Sequence, residues 1–123
     1  MIHHLLPHEH TQNIDKILNI MPESSEFQKA SRLFKLISDT SRLRIFWFLC
    51  HTEECVCNIA SAVEMSTAAV SHHLQILQVN NLITSRRIGK EVHYTLADTE
   101  NAAFVHKMVE SYFHMSCPGK PGN

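Results

Sequence analysis

The amino-acid sequence predicts a mainly α-helical domain that contains one small β-hairpin. From residue 11 to residue 79, apolar side chains recur every three or four positions, which is typical of helices that bury one face. Between Leu82 and Leu96 the pattern changes to two short runs on either side of Gly89, which indicates two strands joined by a tight turn. Helical spacing returns after Asp98. Several helices, a helix–turn–helix, a hairpin and a last helix follow the order of a winged helix–turn–helix domain.

The size and composition of the chain fit one domain. Its 123 residues are 44% hydrophobic and 19% charged, with a net charge of −1, which suffices for a core without disulfides. We expect a His-rich arm at residues 1–10, one folded domain at residues 11–116 and a short tail at residues 117–123. The longest apolar run, Ile45–Cys50, is too short to span a bilayer, and no export signal opens the chain. The cytoplasm is therefore the expected compartment.

Capping and helix-breaking residues place the individual elements. Thr11 is a suitable N-cap for a first helix, which Pro22 ends. Asp39 and the two hydroxyl residues after it form a capping run before the third helix, and Asp98 is the expected N-cap of the last one. Helices are therefore predicted at residues 11–21, 25–38, 41–50, 56–63, 67–79 and 98–115, and strands at residues 82–86 and 91–96.

The predicted helix at residues 67–79 has one apolar face and one polar face. Val70, Leu74 and Leu77 share a side that we expect to pack against the preceding helix. His73 lies on the same side and is expected in the core. The helix start and the opposite side carry small or polar groups without a carboxylate: Ser66, Thr67, Ala68, Ser71, His72 and Gln75. Such groups can approach base edges closely, and backbone N–H groups at a helix start bind phosphate.

Basic residues are concentrated before this helix and in the hairpin that follows it. Residues 1–28 have a charge balance of −3 and residues 29–44 a balance of +4, so the near-zero total hides a local positive field. The hairpin adds Arg86, Arg87 and Lys90, which are placed to reach a sugar-phosphate backbone from a protruding wing. An ordinary solvent-exposed surface is the alternative. The combination of a helix–turn–helix with a basic hairpin favours binding of double-stranded DNA.

Four runs of the chain carry a resemblance to a known family. They are, in order, residues 36–45 (LISDTSRLRI), 54–60 (ECVCNIA), 69–74 (AVSHHL) and 87–94 (RIGKEVHY). Together they resemble the ArsR/SmtB family of metal-sensing repressors over about residues 27–115. The resemblance implies a winged-helix homodimer that represses a metal-resistance or efflux operon until an inducer binds.

The dimer is expected to form through the N- and C-terminal helices. The first and last helices are more apolar than one small core requires. On the last helix an apolar stripe is suited to a partner helix, and its residues are Ala102, Val105, Met108, Val109 and Tyr112.

Cys55 and Cys57 form the main candidate for a metal site. Cysteines of a chain without an export signal are expected as reduced thiols. Two of them at i, i+2 can face one metal ion only at a helix start or in an extended turn, and the break before residue 56 provides such a junction. A helix N-terminus also favours the thiolate. The family resemblance implies that both sulfurs are ligands and that an N-terminal arm completes the site, here through His8 and His10.

The identity of the inducer follows from the available ligands. Zn²⁺ and Cd²⁺ accept a mixture of sulfur and imidazole, and the arm has histidines but no cysteine. We therefore expect Zn²⁺ or Cd²⁺, with Pb²⁺ as a less favoured inducer and no organic cofactor. Cys50 lies on an apolar helix stripe and is expected in the core. The role of Cys117 is left open.

A second metal site on the last helix is implied by the resemblance, with an altered ligand pattern. Its residues would be Asp98 and Glu100 at the start of the helix and His114 at its end, brought together by an antiparallel partner. The alternative for Asp98 is a simple N-cap. His106 and Glu110 share a helix face with His114 and form a further possible group, or simply face water.

Two alternatives to a metal-responsive repressor remain. In the first, the same fold senses arsenite or thiol oxidation through Cys55 and Cys57. In the second, the His and Cys residues belong to a small zinc enzyme. The enzyme is not expected, because the sequence has no HExxH motif and no Ser/His/Asp constellation.

Overall fold

The computed structural model describes residues 7–8 and 13–114. Its elements, in chain order, are α1 (Ile14–Ile20), α2 (Ser24–Ile37), α3 (Thr40–Leu49), β1 (Glu54–Cys55), α4 (Val56–Val63), α5 (Thr67–Val79), β2 (Ile83–Ile88), β3 (Glu91–Leu96) and α6 (Glu100–His114). The prediction of a mainly α-helical winged helix–turn–helix fold is confirmed. Each predicted helix is present, with its ends within three residues of the expected ones. The two-residue strand β1 was not predicted.

The chain divides into two compact units, residues 1–36 and residues 37–123. The first unit contains α1 and nearly all of α2, and α1 buries none of its side chains. These two helices and the turn between them expose several large apolar side chains, namely Ile14, Ile17, Ile20, Met21, Phe27 and Phe34. Apolar surface of this extent is typical of a region that contacts another chain.

The core of the second unit lies around α5, which packs against α3, α4 and β2. Val70, Leu74 and Leu77 of α5 are buried, as their helical spacing predicts. The largest fully buried side chains of the described residues are Phe46, Ile45, Leu49, Ile59, Leu74, Leu77, Leu82, Ile83, Val70 and Val105. Within residues 13–114, no helix combines the length and the apolar character that a membrane crossing needs.

Side-chain caps fix the start of three helices. The Asp39 carboxylate accepts a hydrogen bond of 2.9 Å from the Arg42 backbone N–H at the start of α3, and Ser66 Oγ accepts one of 3.1 Å from Ala69 N–H at the start of α5. The predicted cap of the last helix was wrong by one residue. Thr99 rather than Asp98 caps α6, because its hydroxyl accepts from the Ala102 N–H at 3.1 Å and donates to the Asn81 carbonyl at 2.7 Å.

The three strands form an antiparallel sheet in the order β1-β3-β2. The predicted hairpin is therefore present as β2 and β3, and Gly89 in its turn adopts a left-handed conformation with φ of 64°. The pairing places Cys55 opposite His93, and His93 opposite Arg86. Because directly paired residues point to the same side of a sheet, these three side chains form one row across the three strands.

Candidate nucleic-acid interface and cysteine site

The polar face of α5 is open to solvent. Six residues predicted to approach DNA are exposed, and they are Ser66, Thr67, Ala68, Ser71, His72 and Gln75. None of them carries a negative charge that would repel a phosphate. Of the two residues considered for the N-cap, the structure uses Ser66, while Thr67 is the first residue of the helix. The face is thus held at a fixed orientation by the buried side of the same helix.

His73 lies on the inner side of α5, next to the start of α3. Its side chain is half-buried, and its Nδ1 is a buried atom without a hydrogen-bond partner among the described residues. Burial lowers the pKa of His73, and the nearby Arg42 guanidinium acts in the same direction against the opposing effect of Asp39. The imidazole therefore favours its neutral form, and His73 is half-buried on the inner side of α5 rather than part of the core in which it was expected.

Arg86, Arg87 and Lys90 are all exposed on the hairpin, but they differ in what they contact. Arg86 and Arg87 are neighbours in β2, so their side chains point to opposite faces of the sheet. No described acidic side chain forms an ion pair with Arg87 or Lys90. Arg86 instead makes a bidentate ion pair with Glu53, with Nε and one Nη each 2.7 Å from a carboxylate oxygen.

Glu53 was not singled out from the sequence, although it is the partner of a predicted DNA contact. It lies in the loop between α3 and β1, and 33 residues separate it from Arg86. The hydrogen bond from Arg86 lowers the pKa of the Glu53 carboxyl, and the same bond raises the pKa of Arg86. Both groups are therefore charged at neutral pH. No local pattern reports a pairing over such a distance, so only the folded chain reveals it.

Cys55 and Cys57 lie at the junction of β1 and α4. Cys55 is the last residue of the strand and the N-cap of the helix, with φ of −80° and ψ of 164°, and it is 7% exposed. Cys57 is the second residue of α4 and is exposed, and both thiols are free. The extended conformation at Cys55 is the local geometry that the i, i+2 spacing requires for two sulfurs to approach one ion.

The predicted histidine ligands belong to the N-terminal arm. His8 is exposed and belongs to the first compact unit, and His10 lies outside the described residues. Within residues 7–8 and 13–114, no group of three or more His, Cys, Asp or Glu side chains is arranged to hold a metal ion. A complete site therefore needs further ligands in addition to the two sulfurs, since Zn²⁺ and related ions take three or four.

The residues of the second predicted site are spread along α6. Asp98 and Glu100 lie exposed at its start, and His114 lies at its end, about 21 Å further along a helix of this length. The side-chain contacts near the middle of α6 also differ from the group that was predicted on one face of this helix. His106 and His51 both approach one oxygen of Glu110, at 3.6 Å and 3.8 Å respectively, and His51 joins this group from the loop after α3.

Cys50 lies beside this group and is chemically different from the other two described cysteines. Burial, assisted by the nearby Glu110 carboxylate, raises the pKa of the Cys50 thiol to about 12. The thiol is therefore protonated at neutral pH, and a protonated thiol is a poor metal ligand and a poor nucleophile. This agrees with the expected packing role of Cys50.

The apolar stripe predicted on α6 is divided between two faces. Ala102, Val105 and Val109 are buried in the chain's own core, so they are not available to a partner. Met108 and Tyr112 are exposed as predicted, and Phe104 extends the same exposed face by one turn. The exposed apolar residues of α6 are therefore spaced at i, i+4 and i+8.

Fold and site together define a winged-helix DNA-binding regulator, and comparison with known proteins places it in a family. Residues 39–85 match the family model described as bacterial regulatory protein, arsR family. The chain is 37% identical to a transcriptional repressor SmtB homolog of Synechocystis sp. over 70% of its own length and 67% of that protein. It is 38% identical to a cadmium resistance transcriptional regulatory protein CadC homolog of Staphylococcus aureus over 63% of its length and 64% of that relative.

Solved structures agree with these relatives. HlyU from Vibrio cholerae superposes with a TM-score of 0.65 at 32% identity, covering 77% of this chain and 99% of that one. A homodimeric winged helix–turn–helix DNA-binding domain from Mycobacterium bovis superposes with a TM-score of 0.60 at 25% identity, covering 86% and 91%. The chain belongs to the ArsR family of bacterial transcriptional regulators.

Proposed function

We propose that this protein is a metal-responsive transcriptional repressor that binds operator DNA as a homodimer and releases it when a metal ion binds at Cys55 and Cys57. One observation carries the proposal. Two free cysteines lie at the start of α4, the helix that directly precedes the DNA-facing helix α5. The relatives named as an SmtB homolog and a CadC homolog support both the repression and the metal response.

The DNA contact divides into specific and general parts. The exposed face of α5 enters the major groove, where His72 and Gln75 contact base edges and the helix start contacts phosphate. Arg87 and Lys90 of the hairpin contact the sugar-phosphate backbone. Phosphate contacts supply affinity without sequence preference, whereas base contacts discriminate between operators.

The inducer is Zn²⁺ or Cd²⁺, with Pb²⁺ less favoured. Both cysteine sulfurs are ligands, and His8 and His10 of the N-terminal arm, from the same or the partner subunit, complete the coordination. A second site formed by Asp98, Glu100 and His114 across two α6 helices is a further part of the proposal. These three residues lie too far apart to bind one ion within a single chain.

The homodimer brings two α5 helices to successive major grooves. The exposed apolar residues of α1 and α2, and Met108 and Tyr112 of α6, are suited to contact a second copy of the chain. The homodimeric relative from Mycobacterium bovis supports this arrangement. Metal releases DNA by linkage, because an ion that binds the DNA-free conformation more tightly must weaken DNA binding by the same factor.

The decisive experiment is a mobility-shift titration on the upstream promoter with Zn²⁺, Cd²⁺, Pb²⁺ and arsenite, for the wild type and the double variant Cys55→Ser/Cys57→Ser. The wild type should lose operator binding with Zn²⁺ or Cd²⁺. The double variant should bind the operator equally well but not release it, because hydroxyls are poor ligands for these ions.

Other outcomes separate the alternatives. Release of the wild type only by arsenite or by an oxidant would identify a thiol sensor of the same fold. Release of the double variant at the same metal concentration as the wild type would move the sensing site to Asp98, Glu100 and His114. The absence of operator binding in either state would refute the repressor.

A further inference from the structure

Of Arg86, Arg87 and Lys90 in the hairpin, only Arg86 forms an ion pair with a described acidic side chain. Nε and one Nη of Arg86 each lie 2.7 Å from a different carboxylate oxygen of Glu53, which is the parallel geometry of a bidentate guanidinium–carboxylate pair. The Glu53 side chain is 26% exposed and the Arg86 side chain 68%, so the pair lies at the surface. Without Arg86, the Glu53 carboxylate would lose the cation that it contacts directly.

The pair connects two segments with different proposed tasks. Glu53 lies two residues before Cys55, in the loop that leads into the cysteine pair, and Arg86 lies in β2, the outer strand of the wing. β1 itself pairs with β3, where Glu54 lies opposite Tyr94 and Cys55 opposite His93. The Thr95 hydroxyl of β3 adds a 3.1 Å hydrogen bond to the Thr52 carbonyl in the same loop. The Glu53–Arg86 pair is thus the contact that extends this connection across β3 to β2.

The same geometry argues against a phosphate contact by Arg86. The ion pair holds Nε and one Nη of Arg86 on Glu53, so a phosphate that contacted the remaining N–H groups would lie close to the Glu53 carboxylate and be repelled by it. Arg87 points to the other face of the sheet and Lys90 lies in the turn, and neither forms an ion pair with a described acidic residue. These two cations can bind phosphate without breaking an existing contact.

We propose that Glu53 and Arg86 are positioning residues that couple the cysteine segment to the wing, so that a metal ion at Cys55 and Cys57 alters the wing through this ion pair. The inference rests on the proposed function. It assigns Arg86 to signal transmission in place of the direct DNA contact expected from its sequence position. Coupling between two sites needs a physical connection whose arrangement differs between the two states, and the described contacts supply one.

The test measures operator affinity with and without Cd²⁺ for the full-length wild type and for Glu53→Gln, Arg86→Gln, Arg86→Lys and the double variant Glu53→Gln/Arg86→Gln. Arg87→Gln, on the neighbouring residue of the same strand, is the matched control. Thiolate charge-transfer absorption at the ultraviolet edge reports Cd²⁺ binding independently of DNA. The dependence of affinity on salt concentration reports the number of phosphate contacts.

We expect Glu53→Gln to bind Cd²⁺ and the metal-free operator as the wild type does, while the ratio of operator affinities without and with Cd²⁺ falls at least fivefold. Arg86→Gln should lower the ratio equally, the double variant no further, and Arg86→Lys should restore part of it. The salt slope of Arg86→Gln should equal that of the wild type. Arg87→Gln should instead reduce the slope by about 0.9 for each phosphate that the variant no longer neutralises, and should keep the ratio.

Two results would overturn the inference while leaving the proposed function in place. One is an unchanged Cd²⁺ response in both Glu53→Gln and Arg86→Gln. The other is a reduced salt slope in Arg86→Gln together with tighter DNA binding by Glu53→Gln, which would make Arg86 a phosphate contact that Glu53 masks. A wild type that binds its operator but responds to no metal would overturn the proposed function and the inference together.

Discussion

The start of α6 offers a prediction whose size follows from the two hydrogen bonds of the Thr99 hydroxyl. In Thr99→Val, the side chain keeps its shape but makes neither the 3.1 Å bond that caps the Ala102 N–H nor the 2.7 Å bond to the Asn81 carbonyl. An N-cap contributes about 1 kcal/mol and a hydrogen bond in a partly exposed setting about 0.5–1.5 kcal/mol. We therefore expect the free energy of unfolding to fall by about 1.5–2.5 kcal/mol.

Urea unfolding followed by circular dichroism at one fixed protein concentration measures this change, because the apparent stability of a dimer depends on concentration. The matched control is Asp98→Ala. Asp98 is exposed and makes no hydrogen bond to a described residue, so its removal should change the free energy by less than about 0.5 kcal/mol. A decrease of about 1 kcal/mol or more in Asp98→Ala, with Thr99→Val near the wild type, would refute the assignment of the cap.

Three further predictions concern α5 and the wing. Leu74→Ala should cost about 2–5 kcal/mol in urea unfolding, because Leu74 is 1% exposed and its truncation leaves a cavity. Gln75→Ala should change the differences in binding free energy between operator variants by about 1–3 kcal/mol. Lys90→Ala should instead weaken binding to all of them alike and flatten the salt dependence in a binding assay. If both variants shift all operators equally, α5 is not the helix that discriminates bases. Since burial lowers the pKa of His73, the stability that its neutral form contributes is complete above the unfolded pKa, about 6.5, and is lost as the pH falls towards the folded pKa. The free energy of unfolding of His73→Gln should not show this decrease at acid pH. A pH profile identical to that of the wild type would contradict the prediction.

Local sequence patterns predicted the elements that have strong periodicity or clear punctuation. The buried side of α5 follows from the spacing of Val70, Leu74 and Leu77, and the hairpin from the alternation around Gly89. The strand β1 escaped prediction because two residues are too few to show alternation, and its partners His93 and Tyr94 lie about 40 positions further along the chain. Strand pairing over such a distance is a property of the whole fold.

Contacts at the candidate site were predicted less well where they join distant segments. Cys55 and Cys57 were located at a helix start from the break before them, which is local information. The partner of Arg86 and the approach of His51 to Glu110 depend on how the loop after α3 packs against the rest of the second unit. The division of the α6 stripe has the same origin, because a helical period cannot tell which of two apolar faces the chain buries itself.

Cys50 and Cys57 differ enough in environment for one thiol to be modified without the other. The Cys50 thiol stays protonated up to strongly alkaline pH, whereas Cys57 is exposed at the start of α4. In a Cys117→Ser background, a maleimide fluorophore added at neutral pH would therefore attach at Cys57 and leave Cys50 unmodified. A metal ion bound at Cys57 should slow this reaction, because a coordinated thiolate is not available to the maleimide. The rate of labelling would then report occupancy of the sensor without any DNA in the sample.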